Sequence, residues 1–214
     1  MSLKLYLHPL SSFCQKVLIA LYENGTDFEP VVVDLGNPDQ RAMLLKLWPI
    51  GKFPVLRDEA RERTVPESSI IIEYLDAHYP GRVRMIPQDT DLARQVRAQD
   101  RFMDLYLQLP MQKIVGDRLR PADKKDPYGV EEARARLKTA CGVIEHSMAG
   151  QIWSAGDTFT MADCAAAPAL FYADKVQPFG EHEAMKRYHA RLMERPSVQR
   201  VIEEAKPYFH LFPQ

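Results

Sequence analysis

LKLYLHPLSSFCQKVLIALYENG, residues 3–25, decides how this chain begins to fold. Leu3, Leu5 and Leu7 alternate with Lys4, Tyr6 and His8, the period of a half-buried strand. His8-Pro9 breaks that alternation. Phe13, Val17, Leu18 and Leu21 then recur at helical spacing. Asn24-Gly25 closes the helix, because both residues tolerate the left-handed backbone of a C-terminal stop. The β-branched run from Phe28 to Val33 predicts the next strand. Strand, helix and strand in succession imply a parallel pair joined by a crossover.

Working outward, Asn37-Pro38-x-Gln40 reads as a helix start: Asn caps, Pro suits the first turn and Gln40 can reach back. That helix ends near Trp48-Pro49, with Gly51 in the turn. Pro54 to Arg57 and Arg63 to Val65 read as a hairpin around the charged stretch Asp58 to Glu62. Ser68-Ser69 caps a further helix carrying Ile71, Ile72 and Leu75, stopped at Tyr79-Pro80-Gly81. The order over residues 1–80 is βαβαββα. Residues 81–88 hold Gly81, Pro87 and few apolar side chains, as a linker does. From residue 89 to 214 no strand signal is convincing. Helices are expected over Leu92 to Val115, Val130 to Met148, Thr160 to Ala173, Glu181 to Glu194 and Ser197 to Ala205, with a polar loop from Pro121 to Pro127. The second unit therefore reads as all-α.

Composition narrows the function. The 214 residues are 46% hydrophobic and 27% charged, with a formal net charge of −1. Such a balance offers no electrostatic handle for nucleic acid or an anionic membrane. The start, Met1-Ser2-Leu3-Lys4-Leu5, lacks the apolar core of a signal peptide. No run approaches the ~18 apolar residues of a membrane span. Cys14, Cys141 and Cys164 are too few and too scattered for a disulfide framework, so a reduced, cytoplasmic setting is expected. No metal-ligand spacing is present.

Three segments carry chemistry. At Ser11-Ser12-Phe13-Cys14 a strand gives way to a helix, whose first N–H groups are unpaired. With the helix dipole they favour a negative charge by about 0.3–1 kcal/mol. A serine hydroxyl there can donate to a bound thiolate and lower its pKa. The bland alternative is an ordinary serine cap, which taken alone is the commoner use of such a residue. Cys14 occupies the second place of a C-x-x-C pair whose first place is Ser11, so dithiol exchange is disfavoured.

In Lys52-Phe53-Pro54-Val55, a proline at the beginning of a strand cannot donate to the ladder. If the Phe53-Pro54 bond were cis, the Phe53 backbone would be free to pair with an extended peptide. Lys52 could meet a carboxylate or simply face solvent. In Pro66-Glu67-Ser68-Ser69, Glu67 could accept from an amine, while Ser68 and the helix-start N–H groups could hold a carboxylate. Together these suit an α-amino acid headgroup, with a bare helix cap as the bland alternative. Thr160-Met161-Ala162-Asp163 has capping-box spacing ahead of the apolar run Cys164 to Leu170, and reads as structural.

In order and spacing, the sequence resembles the cytosolic glutathione transferase superfamily over essentially its whole length. The matching pieces are Ser11 to Val17, Gly51 to Leu56, Pro66 to Ser69, and Gly156-x-x-Phe159-Thr160-x-Ala162-Asp163. The resemblance implies a thioredoxin-like N-terminal α/β domain, an all-α C-terminal domain and a homodimer. Within the family the chain looks serine-type, theta- or zeta-like, because Ser11 stands six residues before Val17. By the same carry-over Ser11, with Ser12 as a second donor, would hold the glutathione thiolate. Glu67 and Ser68 would hold the γ-glutamyl end, the Phe53 backbone the cysteinyl part and Lys52 the glycine carboxylate. Glutathione would be a co-substrate, with no prosthetic group, and a small hydrophobic electrophile the other partner. That partner is expected near Phe102, Met103 and Tyr106. Two departures stand out. Tyr6 is not placed like the catalytic tyrosine of other classes, and Phe13 sits where the zeta pattern has cysteine, which argues against an isomerase. The alternatives are a non-catalytic glutathione-binding module, or a glutathione-dependent isomerase or reductase.

Overall fold

A computed structural model describes residues 2–213. Strand β1 (Leu3–Leu7) buries its leucines and half-exposes Lys4 and Tyr6, as the alternation requires. It lies inside a four-stranded sheet of order β2-β1-β3-β4. β2 (Glu29–Val32) runs parallel to it with Leu5 opposite Pro30. Pro30 is tolerated because β2 is an edge strand. β3 (Val55–Asp58) runs antiparallel to β1 with Leu5 opposite Leu56, and β4 (Arg63–Pro66) closes the hairpin with Leu56 opposite Val65.

Helix α1 (Ser12–Asn24) and α3 (Ser68–His78) cover one face of the sheet. α1 ends as its Asn-Gly signal predicts: Gly25 has φ 60° and its N–H returns to the last turn. On the other face α2 (Pro38–Leu47) buries Leu44 against Val33 and Val55. Two local expectations change. Asn37 caps α2 by accepting from the Asp39 and Gln40 N–H groups, but Gln40 does not reach back to it. Its Oε1 accepts instead from the Asp34 N–H at 2.7 Å, tying down the loop before the helix. In α3 the cap position is Glu67, not a serine, and no side chain caps the helix. This completes the βαβαββα order of a thioredoxin-like unit.

The segment between α3 and α4 has no regular element but is pinned from both sides. Asn24 Oδ1 accepts from the Val83 N–H, and Asp76 Oδ1 from the Met85 N–H, each at 2.8 Å. The Met85 carbonyl accepts from the Met161 N–H at 3.1 Å. After it the described chain is helical. α4 (Thr90–Phe102) passes through a π-helical stretch, Met103–Gln108, into α5 (Leu109–Arg118). α6 is Pro127–Ser147, α7 Met161–Val176, α8 Glu183–Met193 and α9 Pro196–Ala205. α6 starts ahead of the expected Val130 because Asp126 caps it, accepting from the Gly129 N–H at 2.9 Å. α7 is buried nearly all round and carries Pro168 within it, as an apolar central helix does. It packs against both α1 and α4, so one hydrophobic core runs from the sheet into the helical part. No described helix is long and apolar enough to cross a membrane.

Candidate active site

β3 begins just after Pro54, and the sheet register ends with Val55 opposite Pro66. Phe53 therefore lies beyond the ladder, and the bond that follows it is cis. The next residues of β4 turn into α3 through Glu67, whose φ of 70° falls in the left-handed region. A non-glycine residue held there costs about 1–3 kcal/mol, a strain that clusters at functional sites. The turn leaves the head of α3, with the buried Ser68, beside Phe53.

A cleft of about 220 Å³ opens at this junction. Lys52, Phe53, Pro54, Glu67 and Ser68 line it from the sheet side, joined by Trp48 and by Phe13 from the first turn of α1. The opposite wall is Arg101, Asp104, Leu105, Leu109 and Gln112. Four expected ligand-binding residues from two separated segments thus meet on one cavity. It offers two cations, Lys52 and Arg101, two acids, Glu67 and Asp104, a helix N-terminus, and apolar side chains from Phe13, Leu105 and Leu109.

Ser11 and Ser12 are not among the residues lining this cleft; Phe13 is. Ser11 is half-buried and caps α1, its Oγ accepting from the Cys14 N–H at 3.4 Å. That bond uses an oxygen lone pair and leaves the hydroxyl hydrogen free to donate. Cap and thiolate donor are therefore compatible roles for one hydroxyl. Ser12, the first helical residue, is buried. Cys14 is wholly buried, and burial pushes its thiol up to about 12 against the lowering effect of the Ser11 hydroxyl and the His8 backbone. It is a packing residue and not a nucleophile.

His8 sits beside the same loop. Its Nδ1 accepts from the Leu10 N–H at 3.2 Å, which leaves any ring proton on Nε2. The ring stacks on Phe53 and meets the edge of Tyr208, at centroid distances of 6.1 and 5.1 Å. Burial lowers its pKa, with Asp34 opposing. The C-terminal segment is thus folded back onto the cleft's flank. No periodicity in the sequence announces that contact.

The expected electrophile wall needs correction. Met103 is 2% exposed and belongs to the core. Phe102 and Tyr106 line a different groove, with Ala135, Thr139 and Val143 of α6. The reason is rotational. Arg101, Asp104, Leu105, Leu109 and Gln112 recur at helical spacing on the face turned to the cleft, and Phe102, Met103 and Tyr106 fall on the neighbouring face; periodicity separates the faces of a helix but does not say which one meets the cleft.

Behind that wall lies a cluster that the reading of the sequence missed. Lys16 and Asp100 are each 1% exposed, with Lys16 Nζ 2.6 Å from Asp100 Oδ1 and 2.8 Å from Asp104 Oδ2. Lys16 also donates to the Ser69 hydroxyl at 2.8 Å, and that hydroxyl donates to Asp100 at 2.6 Å. Burial raises the Asp104 pKa, and Lys16 opposes it. This cluster joins α1, the head of α3 and α4. Its one sequence signal is a lysine inside the apolar run of α1, with two aspartates four residues apart, Asp100 on α4 and Asp104 in the π-helical stretch. Among the described residues no group of three or more His, Cys, Asp or Glu could hold a metal ion.

Comparison with known proteins places this geometry among relatives. The family description "Glutathione S-transferase, N-terminal domain" matches residues 5–83, and "Glutathione S-transferase, C-terminal domain" matches residues 102–196. Glutathione S-transferase F6 of Arabidopsis thaliana is 28% identical over 210 residues, covering 94% of this chain and 99% of that protein. Among solved structures, glutathione transferase URE2P6 from Phanerochaete chrysosporium, in complex with oxidized glutathione, superposes with a TM-score of 0.84 at 26% identity, covering 96% of this chain and 97% of that one. A glutathione S-transferase from Methylobacillus flagellatus, with gsh bound, gives a TM-score of 0.86 at 24% identity, covering 94% and 98%.

Proposed function

The chain belongs to the glutathione S-transferase family, and we propose that it conjugates the glutathione thiolate to a small hydrophobic electrophile. The observation that carries this reading is the meeting of Lys52, Phe53, Pro54, Glu67 and Ser68 on one cleft with the first turn of α1. Glutathione is a peptide with one extra carboxylate, one ammonium and one thiol. Glu67 accepts from the γ-glutamyl ammonium, while Ser68 and the α3 N-terminus hold the adjoining carboxylate. The Phe53 backbone pairs with the cysteinyl part and Lys52 meets the glycine carboxylate. This brings the thiol toward the head of α1, where the spare hydrogen of Ser11 donates to the thiolate. Ser12 is the second donor. A serine at this place, six residues before Val17, is also what supports the theta- or zeta-like assignment.

The electrophile lies beside Phe13, Leu105 and Leu109, in place of the expected Phe102 and Met103; Tyr106, the third expected residue, borders the groove that continues from Leu105 and Leu109. Leu105 and Leu109 also border a larger groove along α5 and α6, with Tyr128 and Ala133. That groove gives an elongated apolar substrate room to extend. The groove of Phe102, Tyr106 and Val143, with Ile70 exposed on α3, suits a second copy of the chain in a homodimer. The units fall at 1–80 for glutathione and 89–214 for the helical part, with 81–88 as the linker, and the cytoplasm supplies the reduced glutathione.

Titrating the protein with glutathione and following the ultraviolet thiolate band, then assaying turnover of a generic aryl halide, tests the reading. A thiolate band at neutral pH with conjugate formation is expected. Binding with no turnover of any electrophile would make the protein a glutathione-binding module instead.

A further inference from the structure

Gln15 is an unusual residue for its place. It lies one turn into α1, beside Lys16 and between the buried Cys14 and Val17, and it is 0% exposed; unlike Lys16 it meets no charged partner among the described residues. Its Nε2 donates to the Pro9 carbonyl at 2.8 Å and to the Tyr172 Oη at 3.0 Å. Its Oε1 has no partner among the described residues. The Pro9 carbonyl accepts only from a donor, so the carboxamide has one workable orientation. An aliphatic side chain would fill the space without stranding an oxygen. Burying a carboxamide with half its capacity unused needs an explanation beyond packing density.

That explanation lies in what the Pro9 carbonyl belongs to. Residues 8–11 form the loop that presents Ser11. The Ser11 N–H donates to the His8 carbonyl at 2.9 Å, and the Gln15 N–H donates to the Ser11 carbonyl at 2.9 Å. Those bonds, and that of Leu10 to His8, are local to the first unit. The Gln15 carboxamide differs because it ties the loop to α7, the central helix of the other unit. Tyr172 is itself buried and stacked on Phe212 at 5.4 Å, and burial pushes its phenol up to about 12, so it stays neutral.

We propose that Gln15 is a positioning residue for the thiol site: by holding the Pro9 carbonyl against Tyr172 it sets where the Ser11 hydroxyl points. The assignment rests on the glutathione reading above. It routes the orientation of a donor in the first unit through a helix of the second. A hydrogen bond to a thiolate weakens steeply when its angle degrades, so a small rotation of Ser11 is read directly as a thiol pKa.

The experiment compares the wild type with Gln15→Met, which keeps length and loses both donors. The readout is the pKa of bound glutathione, from its ultraviolet thiolate band against pH. The expected result is a rise of about 0.5–1 unit, with turnover at neutral pH falling about three- to tenfold, since one unit is a tenfold change in thiolate fraction. Affinity for glutathione should change less than about twofold, because the variant leaves the cleft residues untouched. An unchanged thiol pKa in the folded variant overturns the assignment. If Gln15→Met does not fold, Tyr172→Phe decides: a rise in the same direction supports it, and none overturns it. A wild type with no thiolate band overturns both this assignment and the glutathione reading. A wild-type band that the variants leave in place overturns this one alone.

Discussion

Ser11 and Thr160 are the hydroxyl residues at the N-terminal cap positions of the described α-helices, and the two hydroxyls are in opposite states. Thr160, at the head of α7, is buried in a reciprocal box. Its N–H and Oγ1 both donate to Asp163 Oδ2, at 2.9 and 3.2 Å. Asp163 also accepts from the Ser154 N–H at 2.8 Å and the Tyr188 Oη at 2.6 Å. Every polar group there is committed to another group of the fold. Ser11, at the head of α1, is half-buried, makes one long cap bond and has no acidic residue in the first turn to answer it. A saturated cap stabilises a helix and offers nothing to a ligand. An unsaturated one stabilises it less and keeps a hydrogen to donate. The proposed thiolate donor is the hydroxyl whose hydrogen-bonding capacity the fold leaves unspent.

The largest expected effect breaks the saturated side. Asp163→Ala strands the Tyr188 hydroxyl and the Ser154 and Thr160 N–H groups in the core, at about 1–3 kcal/mol each before relaxation. A net loss of about 3–5 kcal/mol in urea unfolding is expected. A loss below about 1 kcal/mol would remove the contrast.

Ser11→Ala attacks the other side and should partition the opposite way. Stability falls by only about 0.5–1 kcal/mol, the usual worth of a serine cap. The thiol pKa of bound glutathione rises by about 1–2 units, and turnover near neutral pH drops about 10- to 100-fold. Intact turnover in both Ser11→Ala and Ser12→Ala would show that neither hydroxyl serves the thiolate.

The smallest effect concerns the neighbour that shares the cap. The folded Cys14 thiol sits at about 12, above its ordinary value, so the charged form is the one that burial disfavours. Little of the reactive thiolate forms near neutral pH, and the sulfur itself is out of reach of a reagent. Native protein should resist alkylation and mixed-disulfide formation at Cys14 between about pH 6 and 9, and react only on unfolding. Mass spectrometry after brief labelling checks this. Rapid modification at Cys14 in the native state would make the head of α1 a redox site and not a hydroxyl site.

Local signals were legible where one residue type has one physical use. Period-two leucines placed β1, Asn24-Gly25 stopped α1, and the hairpin of β3 and β4 formed where the charged turn fell. The same holds for Lys52, Phe53, Glu67 and Ser68, which a strand start and a helix start bring to one edge of one sheet. Short-range geometry decides such things, and short-range geometry is written in neighbouring residues. The opposite wall was not legible. A helical period separates Leu105, Leu109 and Gln112 from Met103, but only the packing of the helix decides that the first set meets the cleft and Met103 the core.

The sequence by itself therefore determined the order of elements and the two short segments that bring Lys52, Phe53, Glu67 and Ser68 to one cleft, because each segment is shaped by partners a few positions away. Tertiary structure alone decided which helical face meets the cleft. It alone brought Lys16 to Asp100, Gln15 to Tyr172 and His8 to Tyr208. Those pairs join residues far apart in the chain, and their contact depends on how two units share one core. No window of the sequence contains that information.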